Sequence, residues 1–189
     1  RNNLYVGEQG SSRIRFVTPD GIVVTIAGSG VRGERADGPC LSAPIEGPHG
    51  LSWGPPSSGE GLPSLYVAEW DGKRVLEITG HAHSLGAPTP TPRPIARPAD
   101  NSSSTPTPSA SPSPLARECF VNIYAGILDS QGYDDGDRLI TSRLFNPSGM
   151  LIARDGLMYI ADSRNGIRVV RGGNVTTIPG SVGKANYHS

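Results

Sequence analysis

Cysteine, methionine and the large aromatic residues are scarce in this chain, and no long apolar run interrupts it. Two cysteines, Cys40 and Cys119, in 189 residues are too few for a zinc site of their own or for a disulfide framework. Spacing alone does not say whether their Cα atoms come within bonding range. The pair is therefore a disulfide candidate, with free thiols as the default expectation. No stretch approaches the ~20 apolar residues that a spanning helix needs, and no signal-peptide pattern opens the sequence. The chain starts on Arg1 in the middle of a repeat, so it reads as a piece of something longer. An excess of either charge is also missing: 17 Lys and Arg balance 17 Asp and Glu. That balance removes any general attraction to nucleic acid or to an anionic membrane. Phosphate loops and His-Glu-x-x-His helices are absent as well, and no cofactor is expected.

Proline, serine and threonine are unevenly spread. Residues 81–118 hold nine of the 18 prolines and eleven Ser or Thr, with no Phe, Tyr or Trp. Such a tract buries too little apolar surface to offset the entropy of ordering it, and the expectation is a disordered insertion. Sequons at Asn101 and Asn174, together with this tract, point toward a glycosylated extracellular or cell-surface setting.

The remainder repeats itself. LYVGEQGSSRIRFVTPDGIVVTIAGSG at 4–30, LYVAEWDGKRVLEI at 65–78 and MYIADSRNGIRVVRGGNVTTIPG at 158–180 are three copies of one text. A unit of this size cannot bury its own apolar face and must stack on its neighbours. Each copy carries up to four short strand signals. The first follows a Pro-x-Gly turn (50–53 and 149–153) and the second is the Tyr-bearing segment. The third is RIRFV, RVLEI or IRVV, and the fourth is 22–28, 120–126 or 175–180. Turn dipeptides such as Asp71-Gly72, Asn165-Gly166 and Asp20-Gly21 separate them, which predicts an antiparallel meander. The long connections 29–50 and 127–149 share an Asp-Gly and a Pro-x-Gly, with room for a short helical turn at 139–144. The Pro/Ser/Thr tract falls between strands three and four of the second copy. There it decorates a hairpin tip at modest entropic cost.

These copies resemble NHL repeats. The resemblance rests on Tyr5-Val6, Tyr66-Val67-Ala68-Glu69, Tyr159-Ile160-Ala161-Asp162, Arg13-Ile14-Arg15 and the ending Thr25-Ile26-Ala27-Gly28. The turns Asp37-Gly38, Asp135-Gly136, Pro48-His49-Gly50 and Pro147-Ser148-Gly149 complete it. It implies an all-β fold over 1–189: a partial β-propeller of about three four-stranded antiparallel blades. Blade 1 covers about 4–28 and lacks its opening strand, blade 2 about 49–126 and blade 3 about 149–180. Only eleven strand signals are present, and propellers usually close with four to eight blades. An open arc with exposed sheet edges is the expectation.

Candidate residues divide into structural and chemical. The carboxylate ending strand two and the arginine of strand three, Glu8/Arg13, Glu69/Arg74 and Asp162/Arg168, are expected to brace the hairpins, worth ~0.2–1 kcal/mol if exposed. With Tyr5, Tyr66 and Tyr159 they are the structural repeat positions. His49 is the weak metal candidate. In the amidating lyases whose blades are similar, a Pro-His-Gly turn offers a zinc ligand to the central channel. About three converging ligands are needed, yet Ser148 takes the equivalent place and His81, His83 and His188 lie in the tract or near the end. A lone histidine facing the channel is expected. Asp134, Asp135 and Asp137 do not match a calcium loop and are expected to form a solvated turn. Arg13, Arg15, Arg32 and Arg35 form a basic cluster, and some NHL proteins bind RNA. Few aromatic platforms accompany it here, so no nucleic-acid partner is expected. The leading reading is a noncatalytic scaffold binding a protein or glycan, its missing blades supplied by the full-length chain or a second chain. The alternative is a metal-dependent lyase or hydrolase using His49.

Overall fold

The computed structural model describes residues 3–33, 37–80, 119–163 and 166–181. The 81–118 tract, with Asn101, His81 and His83, lies outside the described residues, as do Arg35, Asn165 and His188. The described residues contain strands and turns and no helix, and none is therefore long and apolar enough to cross a membrane.

Thirteen strands form three antiparallel sheets. The first contains β1 (Leu4–Glu8), β2 (Arg13–Val17) and β3 (Val23–Ala27) in that order. The second runs β4 (Gly38–Pro39), β8 (Phe120–Ala125), β7 (Arg74–Thr79), β6 (Ser64–Glu69), β5 (Pro48–Gly54). The third repeats that plan with β9 (Gly136–Asp137), β13 (Asn174–Thr177), β12 (Gly166–Arg171), β11 (Met158–Asp162) and β10 (Pro147–Ile152). Registers match from copy to copy: Tyr5 lies opposite Phe16, Tyr66 opposite Glu77 and Tyr159 opposite Val169. Thr79 pairs with Phe120, so the two ends of the 81–118 tract meet at one hairpin mouth.

The sheets stack in chain order, and burial follows from that order. β6 is buried at every position, so the second sheet is covered on both faces. β11 alternates, with Met158, Ile160 and Asp162 buried and Tyr159 half-buried. Ile14, Phe16, Ile26, Leu65, Val67 and Ile78 fill the junction between the first and second sheets. Tyr66, Val75, Leu144, Met158, Ile160 and Val170 fill the next. The opening strands approach closely: a side chain at Gly50 would overlap the Ser148 carbonyl, so only glycine fits there. Gly28 and Gly126, at φ 96° and 88°, end the fourth strands in a left-handed conformation that glycine adopts without strain. Their N–H groups donate to the Cys40 and Arg138 carbonyls of the following connection.

Two expectations for the connections are corrected. The Asp-Gly turns are also strands: Gly38–Pro39 and Gly136–Asp137 each add a two-residue edge to the next sheet, pairing with β8 and β13. Residues 138–141 form a turn, and no helix forms over 139–144. Asp137 takes over its carbonyl end and side chain, accepting the N–H groups of Leu139, Ile140, Thr141 and Ser142, as a short acid does when it competes with helix formation. The free-thiol expectation is likewise replaced. The β4–β8 pairing lays Cys40 beside Cys119, the Cys40 N–H donating to the Cys119 carbonyl at 2.9 Å. With Cα atoms 5.3 Å apart the two form a disulfide.

Candidate functional site

The repeated carboxylates sit at the ends of β1, β6 and β11, where the chain turns into the third strand of each sheet. Glu69 and Arg74, directly opposite in register, form a fully buried ion pair. Glu69 also accepts the N–H of Glu46 at 2.6 Å. Asp162 accepts from the N–H groups of Phe145 and Asn146 at 2.7–3.0 Å and pairs with the buried Arg168 at 3.4 Å. Each buried acid therefore ties its hairpin to the connection that enters the sheet, a larger role than an exposed brace. Burial pushes the Glu69 carboxyl up to about 7 despite the opposing pull of Arg74, the cost of desolvating a charge.

Glu8 corrects the expected pattern. Its partners are Arg15 at 2.8 Å and Ser11 at 2.5 Å, and Arg13 instead donates to the Ser11 and Ser29 carbonyls. No described segment enters the first sheet ahead of β1, so no backbone N–H fixes the carboxylate toward Arg13. It swings to the diagonal neighbour, and the Ser11 and Arg15 hydrogen bonds lower its pKa.

The Asp134, Asp135 and Asp137 turn is not simply solvated. Asp135 accepts from the N–H and hydroxyl of Thr177 at 3.0 and 2.8 Å and from Arg168 at 2.9 Å. Burial alone would raise its carboxyl, but these donors outweigh it and hold it low. His49 is exposed and lies 5.3 Å, ring to ring, from Trp70. Among the described residues no three His, Cys, Asp or Glu side chains gather as a metal site requires. Arg32 pairs with Asp71 at 3.2 Å, so it and Arg15 are matched to acids. Asn174 opens β13 and is exposed.

The structure gathers a different set of side chains at the junction of the second and third sheets. A cavity of about 370 Å³ lies there, walled by Tyr66, Tyr124, Ile152 and Met158, rimmed by Pro55 and Ser57, and bounded across by Arg138 and Gly173. Tyr66 and Tyr124 meet edge to face at 4.8 Å. The Tyr66 hydroxyl donates to the Pro55 carbonyl at 2.6 Å and lies 3.2 Å from Glu77. Burial, reinforced by Glu77, raises the Tyr66 phenol, so it stays neutral. Glu77, only 3% exposed, accepts from the backbone and hydroxyl of Ser57. Arg138 lies with its guanidinium carbon 4.4 Å above the Tyr124 ring and donates one nitrogen to the Tyr124 carbonyl. Its remaining donors have no hydrogen-bond partner among the described residues.

The preceding junction is an internal control. Tyr5 corresponds to Tyr66 and Leu65 to Met158 in register. There Phe16 takes the place of Glu77, Trp53 that of Ile152, Cys40 that of Arg138 and Cys119 that of Gly173. Tyr5 packs edge-on against Phe16 and Trp53 at 5.2 Å, and the disulfide closes the rim. One junction is filled with rings and sulfur, and the other holds an open polar groove. Glu77, Tyr124, Arg138 and Ile152 were not singled out from the sequence. The available signal was Glu77 itself, an acid inside RVLEI where RIRFV has Phe16.

No family model and no curated protein matches the sequence. The fold is similar to three solved structures from Bacteroides thetaiotaomicron. A structural genomics protein of unknown function is 18% identical, with a TM-score of 0.55 over 92% of this chain and 31% of its own. An auxiliary nutrient binding protein is 15% identical, with 0.60 over 93% and 35%. A candidate phosphatase is 16% identical, with 0.58 over 93% and 33%. The likeness is one of fold, and the chain spans about a third of the length of these proteins.

Proposed function

We propose that the chain is a segment of an NHL-type propeller that binds a glycan without transforming it, using the groove between the second and third sheets. In this reading the sheets are blades at about 4–28, 49–126 and 149–180. The first lacks its opening strand, and 81–118 is an insertion between strands three and four of the second. The burial gradient supports it: the middle sheet is covered on both faces, whereas Leu151, 61% exposed, and the half-buried Tyr159 lie on the uncovered face of the third. Further blades, from the same polypeptide or another, would cover that face. The greater length of the fold neighbours and the name of one, an auxiliary nutrient binding protein, fit this picture. The disulfide supports an oxidising, extracellular setting.

The observation that carries the reading is the contrast between the junctions. Packed interiors leave few voids, and the first junction closes the same space with Trp53 and Phe16. A concave site with aromatic walls and a few converging polar groups is the usual form of a small-ligand site, and 370 Å³ lies at the low end of the ~300–1,000 Å³ range. The test is retention on immobilised neutral and acidic glycans by the wild type and by Ile152→Trp, which copies Trp53 into the groove. Retention of at least one glycan class, its loss in the variant and recovery of the glycan with unchanged mass are expected. Failure of the wild type to retain any glycan, or undiminished retention by the variant, would remove the reading. A glycan recovered with altered mass would favour the lyase or hydrolase alternative.

A further inference from the structure

We infer that the groove is selective for an acidic sugar unit, a uronate whose carboxylate is held by Arg138. The inference rests on the glycan-binding reading and names the chemistry of its ligand. Arg138 is the cation of the cavity wall, and its geometry is set before any ligand arrives. Tyr124 supports the guanidinium face at 4.4 Å, and the Tyr124 carbonyl takes one nitrogen. The planar fork thus keeps further N–H donors for an anion. A guanidinium offers donors in the geometry that two carboxylate oxygens accept. Among the described residues no carboxylate takes that role.

The rest of the groove fits the other parts of a uronate. Ile152, Met158 and the tyrosine rings give apolar surface for the C–H face of a pyranose. The Ser57 and Pro55 rim and the Gly173 turn close the sides of the groove around it. Glu77, buried behind Tyr66 and held by the backbone N–H and hydroxyl of Ser57, limits how much negative charge the site accepts. A single carboxylate is matched by Arg138, whereas a phosphate dianion would bring a second charge with no second cation. The substitution pattern is coherent: Cys40→Arg138, Phe16→Glu77 and Cys119→Gly173, read from the closed junction to the open one, introduce a charge, a polar anchor and space together.

The test compares methyl glucuronide, methyl glucoside and glucose 6-phosphate binding by calorimetry, for wild type, Arg138→Met and Arg138→Lys. The glucuronide should bind about tenfold or more tightly than the glucoside, since charge-assisted hydrogen bonds exceed neutral ones by about that factor. It should also outbind the phosphate. Arg138→Met should bring the glucuronide down to the glucoside level without weakening the glucoside, and Arg138→Lys should restore part of the preference. Equal wild-type affinities, a preference that survives Arg138→Met, or tighter binding of the phosphate would overturn the assignment while leaving a neutral-sugar groove standing. If no sugar binds while the glycan arrays retain the protein, the uronate assignment falls alone. If the arrays are also blank, the binding reading falls with it.

Discussion

Glu8, Glu69 and Asp162 end the same strand in three copies, and their surroundings separate them. Glu69 and Arg74 are both fully buried, with Glu69 also holding a backbone N–H of the entering connection, whereas Glu8 faces water and shares its charge with Arg15 and Ser11. Removing one member of a buried pair strands the other charge in a low-dielectric interior and costs about 3–5 kcal/mol. Glu69→Ala should therefore lower unfolding free energy in urea by that amount at pH 8, where the carboxylate is ionised. Replacing Glu69 and Arg74 together by Leu and Met should recover most of the loss, and Glu8→Ala should barely register. A Glu69→Ala variant as stable as wild type would show that Arg74 does not depend on this carboxylate. The pairing of Glu69 with Arg74 was legible because five residues across a tight hairpin fix which side chains meet. The switch of Glu8 to Arg15 was not, because it depends on whether a connection donates an N–H to the carboxylate.

Elements were readable where contacts are local. All eleven longer strands overlap the positions where the repeats put them, most within a residue or two at their ends and β13 stopping three residues short of 180, since turn dipeptides and alternating β-branched residues act over a few positions. The edge strands β4 and β9 and the groove were hidden, and the disulfide stood only as a candidate behind free thiols, because each joins segments far apart in sequence. Cys40 and Cys119 are 79 residues apart, and their approach is set by the pairing of β4 with β8. That separation makes the bond consequential. Closing a long loop restricts the unfolded chain, typically by about 2–4 kcal/mol. The disulfide also ties the segment before the 81–118 tract to the segment after it. Cys40→Ser with Cys119→Ser should lower the urea midpoint accordingly in the full chain. Deleting 86–115 with the disulfide intact should leave the midpoint within error, because Thr79 and Phe120 are already paired at the mouth of that loop. A large loss of stability on deletion would mean that the tract contributes to the core.

At the scale of the whole molecule, the buried Glu69 and the partly exposed Asp135 set opposing pH dependences. Asp135 has a folded pKa below its ordinary 3.8, because Thr177 and Arg168 outweigh the effect of burial. The stability it contributes is present above 3.8 and is lost as pH falls through the folded value. Glu69 runs the other way, raised by burial from 4.5 to about 7. Between those values the folded state holds a proton that the unfolded chain releases, so its contribution is full below 4.5 and declines as pH rises toward 7. The two effects leave a window bounded by 3.8 and 4.5 in which neither is lost. Melting temperature should peak close to that window, well on the acid side of neutrality. Glu69→Gln should flatten the decline toward pH 7, and Asp135→Asn should weaken the fall at low pH. A wild-type melting temperature that climbs steadily from pH 4.5 to 7 would mean that Arg74 fully repays the desolvation of Glu69. The buried pair would then be a net source of stability, and the hairpin ends would be held by charge as much as by the backbone hydrogen bonds beside them.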